Sequence, residues 1–294
     1  MRWRVVHTPR SGERCDASGM PATNGDIWVC PTCGANFPPA PEPPARCPLC
    51  EDERQFVPPT GQVWKRMGEL AEAGYRTEVR ELEPELAGVG VRPGIGVGQR
   101  ALLVRTPQGN LLWDPPAFVD QAGIDAVREL GGLAAVSSSH PHMYGAIVEW
   151  SHAFGAEIAL PDVDRPWMMR PDPAVRSWSG SFEVLPGVTL VQCGGHFPGS
   201  AVVHWAGAAG GKGALFVGDT LFVTSGGDRV SFIWSAPNRL PLPEREVQGV
   251  VDALAPYRYE QIYGGWWDPV IEHDAEGVVQ RSAARYIEIL HGRI

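Results

Sequence analysis

Residues 133–145 read LAAVSSSHPHMYG, an apolar run that ends in three serines and then in His140 and His142, with Pro141 fixing the chain between them. The stretch AIVEWSHAF that follows has the spacing of an amphipathic helix. A strand that passes into a helix through such a turn sets two imidazoles at its carboxyl end, where open α/β folds hold ligands. Taken alone, a His-x-His is equally a pair of hydrogen-bonded surface histidines.

Later segments favour a ligand set. After the apolar run TLVQC comes GGHFPGS, residues 194–200, in which glycines allow close backbone approach and a proline fixes the turn, so that a loop offers His196. FVGDTLF, residues 216–222, then sets the carboxylate of Asp219 at the end of another apolar run, where an unpaired charge is costly unless it meets a cation. Outward from these motifs, RALLVRT and NLLWDPP predict a hairpin turning at Gln108-Gly109-Asn110. IDAVREL and VVQRSAARYIEIL predict helices, and EIAL, AVVHW and ALFVGD predict strands. The chain reads as α/β and sheet-rich, without a fixed-period repeat.

SHPHMYG, GGHFPGS and VGDTLF, in that order, resemble the signature segments of the metallo-β-lactamase fold superfamily. The resemblance covers about residues 74 to 294 and implies a four-layer αββα sandwich, two sheets face to face with helices outside and loops of the active site along one edge. It also implies that His140, His142, His196 and Asp219 bind a metal. In LLWDPP it makes Asp114 a residue that orients a ligating histidine, the other reading being a turn or N-cap aspartate. The family motif continues H-x-H-x-D-H and adds a late histidine, which together supply a second metal. Here Tyr144 and Gly145 stand in the first two places and the late loop reads Tyr263-Gly264-Gly265-Trp266-Trp267-Asp268, so a single ion is expected, with Asp268 the residue to suspect were a second one present.

What the resemblance implies chemically is a hydrolase with one Zn2+ at this centre and a metal-bound water that attacks an ester, thioester, lactone or amide carbonyl of a small-molecule substrate. Asp219 would hold or deprotonate that water. Tyr144 is read either as a hydrogen-bond donor to the developing oxyanion or as an aromatic packed at a helix start. Trp234, Trp266 and Trp267 are expected to wall the site, against a default of core packing; His152, His204 and His273 read as packed or exposed. Two other functions are consistent with these residues. One is a mononuclear Fe2+ oxygenase resembling the persulfide dioxygenases; the other is a non-enzymatic module that binds a partner on the same fold.

Toward the N-terminus, residues 1–25 lack periodicity and read as an irregular arm. Residues 26–60 hold Cys30-Pro-Thr-Cys33 and Cys47-Pro-Leu-Cys50, thirteen residues apart and bridged by a proline-rich stretch too poor in apolar side chains to fold alone. Two CxxC turns offer four thiolates, a closed tetrahedral site and hence a structural Zn2+ of zinc-ribbon or rubredoxin-like type. Residues 61–294 form the metallo-β-lactamase-like domain. Sequence alone treats the two metals as independent, so that loss of the cysteine site spares the histidine ion. Cys15 and Cys193 read as ordinary single cysteines. A formal charge of −9 without a basic run argues against nucleic acid. No apolar stretch is long enough for a bilayer or a signal peptide, and the CxxC pairs suit a reducing compartment, so a cytoplasmic location is expected. Nothing in the sequence speaks to oligomeric state.

Overall fold

A computed structural model describes residues 26–267 and 270–294. The arm at residues 1–25, Cys15 and Asp268 lie outside the described residues.

The N-terminal unit consists of strands β1 (Trp28–Val29) and β2 (Asn36–Phe37), helix α1 (Pro48–Glu51), strand β3 (Lys65–Arg66) and helix α2 (Met67–Glu72). β1 is central in a three-stranded sheet, pairing with both β2 and β3. This small sheet therefore recruits residues past the boundary at 60 that composition suggested. Trp28, Phe37, Leu49 and the four cysteines share one apolar cluster.

The first large sheet follows: β4 (Arg76–Glu83), β5 (Leu86–Arg92), β6 (Ala101–Thr106), β7 (Gly109–Trp113), helix α3 (Gln121–Glu129), β8 (Ala135–Ser137), helix α4 (Ile147–Phe154), β9 (Glu157–Pro161) and β10 (Val175–Trp178). β4 to β7 run antiparallel and β7 to β10 parallel; α3 and α4 make the first two parallel crossovers and a 3-10 segment at Asp162–Trp167 the third. The expected hairpin is present, but its turn lies at Pro107-Gln108, since Gly109 and Asn110 already pair with Thr106 and Arg105. α3 begins where Asp120 accepts a hydrogen bond from the Gly123 amide at 2.9 Å.

The second sheet holds β11 (Ser181–Leu185), β12 (Val188–Gln192) and β13 (Ala201–Trp205). A short turn, α5 (Ala208–Gly211), leads to β14 (Ala214–Phe216). Two small hairpins come next, β15 (Phe222–Val223) with β16 (Val230–Ser231) and β17 (Ile233–Ser235) with β18 (Leu240–Pro241). Helix α6 (Glu244–Leu254), strands β19 (Gln261–Tyr263) and β20 (Val270–Ile271) and helix α7 (Ala275–Leu290) end the chain, with β19 parallel to β14.

Alternation along the strands makes the layers. Leu103, Leu112, Val136 and Ile158 face the helices α3 and α4. Their neighbours Leu102, Val104, Leu111 and Trp113 face the second sheet and meet Leu190, Val203 and Phe216. The opposite face of that sheet, through Val191, Val202 and Leu215, packs on Val247 and Val250 of α6 and Val279 of α7. Helix, sheet, sheet, helix is thus the αββα sandwich.

Candidate metal centre

Four separate segments deliver the site. His140 follows β8 in extended conformation and Pro141 opens a single 3-10 turn at Pro141–Met143, which brings the His142 ring to 5.3 Å from that of His140. His196 lies in the loop between β12 and β13, where Gly194 and Gly195 both take positive φ (70° and 86°), a conformation glycine adopts without a steric cost. Asp219 comes just after β14. At the preceding Gly218 (φ 50°) a Cβ would stand 2.2 Å from the Ser139 hydroxyl oxygen, so this close approach of two strand ends requires glycine.

The ligand atoms converge. One nitrogen or carboxylate oxygen from each of His140, His142, His196 and Asp219 lies within 4.8 Å of all the others. His196 Nε2 stands 3.3 Å from His142 Nδ1, and the Asp219 carboxylate is 3.5 Å from His140 Nε2 and 3.9 Å from His196 Nε2. Burial holds the imidazoles below their ordinary pKa, well below for His140 and His142 and to about 4 for His196, so they present neutral lone pairs. The same burial pushes Asp219 up to about 7. His140 Nε2 and Asp219 Oδ1 are buried without a hydrogen-bond partner. Neutral nitrogens, a buried carboxylate and orphaned polar atoms around one point are what a divalent cation would satisfy, and the residues fit it.

Two of the three histidines are oriented from behind. His196 Nδ1 donates to the Ile233 carbonyl at 3.1 Å. His140 Nδ1 lies 2.9 Å from the Ser139 hydroxyl, which donates to Asp114 at 2.9 Å, and Asp114 also accepts from the Ser139 amide at 2.6 Å. Asp114, at a φ of 60°, thereby orients a ligand through an intermediary hydroxyl rather than capping a turn. Sequence reasoning assigned Ser139 no role, although its place directly before His140 was the available signal.

Where a second ion would need ligands, the chain differs. At Gly145 (φ 45°) a Cβ would come within 2.3 Å of the Pro115 carbonyl, leaving no room for a side chain. Tyr144 is buried, its hydroxyl lacks a hydrogen-bond partner, and its ring joins the core beneath α4. There it lines a cavity of about 20 Å³, with Asn36 and Leu49 of the N-terminal unit opposite. The Trp266 indole donates to the Val97 carbonyl at 3.1 Å. Trp267 corrects the expected apolar wall: it lies across β5, where a Cβ at Gly88 or Gly90 would meet its ring at 2.6 and 2.7 Å, with Arg80 over it at 4.1 Å. His152, His204 and His273 partner Asp172, the Arg258 carbonyl and Glu260, away from the centre. Cys193 is buried in the apolar cluster under α6, which pushes its thiol up to about 12.

The four cysteines form the second grouping, and among the described residues these are the two places where three or more such ligands gather. Their sulfurs lie within 4.8 Å of one another, with Cys30 to Cys50 and Cys33 to Cys47 each 3.5 Å, far beyond a disulfide bond. A tetrahedral ion about 2.3 Å from each sulfur sets them roughly 3.8 Å apart, so this cage also fits a metal. Gln62 donates to the Cys30 sulfur at 3.1 Å, a contact that favours a thiolate.

The chain is 38% identical to YmaE of Bacillus subtilis (strain 168) over 269 residues, which span 91% of this chain and 98% of that protein. The chain belongs to the YmaE family. YmaE is itself an uncharacterized protein, so the kinship carries no activity with it. No family model matches the chain. Solved structures show the fold of this YmaE relative. VMB-1 superposes with a TM-score of 0.54 at 13% identity, covering 73% of this chain and 98% of that one. The metallo-β-lactamase SMB-1, in complex with mercaptoacetic acid, gives 0.52 at 16% identity, with coverages of 74% and 96%. TTHA1623 in a di-iron-bound form gives 0.50 at 20% identity, with 66% and 97%. The architecture is the metallo-β-lactamase fold, with a four-cysteine segment at its N-terminal side. No helix among the described residues is long and apolar enough to cross a membrane.

Proposed function

We propose that the protein is a metal-dependent hydrolase of small esters, thioesters, lactones or amides, with one Zn2+ at the histidine centre and a structural Zn2+ on the cysteines. The observation that carries this is the convergence of three neutral imidazoles on a buried carboxylate. The chemistry a zinc ion would supply here, held by His140, His142, His196 and Asp219, is acidification of a water and polarisation of a carbonyl.

The chain supplies the rest. His140, His142 and His196 hold the ion, with Ser139 and the Ile233 carbonyl fixing the tautomers of the first and third. Asp219 balances the charge and accepts the proton of the attacking water. Tyr144 belongs to this proposal as a donor to the developing oxyanion, on the strength of a buried hydroxyl with no other partner; its place in the core supports packing instead. Tyr144→Phe separates these ideas: a donor lost lowers kcat by about 10²-fold with metal content unchanged, whereas an unchanged kcat makes Tyr144 a packing residue. A single ion is expected because Gly145 admits no ligand. Buried cysteines without disulfides fit a reducing, cytoplasmic setting, and a net charge of −9 fits a small-molecule substrate rather than a nucleic acid.

Elemental analysis of protein grown without added zinc, followed by a hydrolase substrate panel, tests the reading. Iron in place of zinc turns it toward oxygenase chemistry. Metal retained without turnover across a broad ester panel turns it toward a partner-binding module.

A further inference from the structure

Phe197, next in sequence to the ligand His196, is fully buried in the same apolar cluster as Cys30, Cys33, Cys47 and Cys50. It also touches the three imidazoles, with ring centroids at 5.8, 4.9 and 5.2 Å from His140, His142 and His196. Onto this ring the N-terminal unit lays Arg54, four residues past the last cysteine, with its guanidinium carbon 3.8 Å from the ring centroid and 4.9 Å from that of Trp234. Arg54 donates to the His196 carbonyl at 3.2 Å across 142 residues of sequence. The surrounding backbone is stitched to the strand pair that also orients His196: Ser235 donates to the Arg54 carbonyl, and Asn238 to the carbonyls of Glu53 and Gln55.

We propose that Arg54 is a positioning residue for the third metal ligand, and that through it the cysteine site sets the affinity of the histidine centre. This inference rests on the metal reading of that centre. A guanidinium whose side chain is only 9% exposed must have its donors satisfied. Two bonds go to Asp52, at 2.6 and 2.9 Å, and the third fixes the backbone of His196. The pairing also settles a conflict of charge. A bare cation in this place would repel a divalent ion, whereas a bidentate Asp52–Arg54 pair delivers the hydrogen bond without net charge. Asp52 caps the end of the short helix that starts at Cys47 and carries Cys50, so loss of the cage would loosen the footing of the Asp52–Arg54 pair and, with it, the bond to His196.

Cobalt(II) is the probe, because thiolate-to-metal charge transfer counts the cysteine site while weaker visible bands follow the histidine centre on the same sample. In chelator competition, Arg54→Ala and Asp52→Asn should weaken cobalt at the histidine centre by about 10- to 100-fold while the cysteine site stays full. Asp52→Asn keeps the size of the side chain but strips the charge balance, so a role limited to packing would not move it. Arg54→Lys, which keeps the cation without the fork, should fall between wild type and Arg54→Ala. Arg66→Ala is the control, since Arg66 braces Trp28 and Asp26 within the same unit and has no hydrogen-bond partner in the His196 loop. It should leave the histidine affinity at the wild-type value. An unchanged affinity in Arg54→Ala, or an equal loss in Arg66→Ala, overturns the inference. Wild-type protein that takes up cobalt at the cysteines alone overturns the metal reading itself, and the inference with it.

Discussion

The two ligand clusters are built by opposite means. The cysteine cage draws its four sulfurs from two turns that sit close in sequence, set in a small apolar cluster with Trp28, Phe37 and Leu49. The histidine centre draws on loops after β8, β12 and β14, each fixed by a complete sheet before any ion arrives. On the proposed reading, metal at the first would tie a short local segment together, whereas the second is a site that the sheets assemble. A local motif can therefore be read with little context, while a distributed one is recognised only by the order and strand-end placement of its pieces.

The comparison can be broken most severely at the cage. Replacing Cys30 and Cys47 by serine should remove one metal per chain and most of the order of residues 26–66, since structural zinc contributes about 10–16 kcal/mol in small zinc domains. Circular dichroism and limited proteolysis would show it, and an intact segment without metal would refute the claim that metal ties this segment together. The independence of the two ions expected from sequence should fail in the same variant.

At the other centre the expected loss is chemical rather than structural. His196→Ala should abolish metal there and turnover with it, while the melting temperature stays close to wild type, because the loop remains held by Ser200. Asp219→Asn should keep part of the metal and lose most of the activity. Collapse of the fold in either variant would mean that this metal too is structural.

Adding a ligand is the next test. Gly145→His, which rebuilds one position of the longer family motif, should not bring a second ion, since its Cβ meets the Pro115 carbonyl, and it should lower stability by about 1–3 kcal/mol or more through backbone strain. Two ions per histidine centre would show that the backbone yields. The mildest change is Ser139→Ala, which cuts the link from Asp114 to His140 and should weaken the histidine metal by about 10- to 100-fold with the cage untouched. Equilibrium dialysis would measure it.

What could be read in advance follows the same division. Strands such as Ala101–Thr106 and Ala214–Phe216 were legible because they are buried on both faces and so continuously apolar. Arg76–Glu83 was not, for it reads RTEVRELE, a largely charged edge strand. Leu86–Arg92 was hidden by Gly88 and Gly90, whose reason for being glycine is Trp267, far along the chain. Helix Glu244–Leu254 also escaped notice, though its valines repeat at helical spacing. At the site, the four ligands end strands and announce themselves. Arg54, within EDERQF, carries no motif, and only the docking of one unit on the other reveals its task.

Chain order adds a clock to this architecture. The small sheet around the cysteines is complete once residue 66 has been made, whereas the histidine centre waits for Asp219, and the strand bearing it waits for its parallel neighbour at Gln261–Tyr263. Contacts that close long stretches of chain form slowly. During synthesis the four cysteines of the proposed cage are thus all present while Asp219 is still unmade.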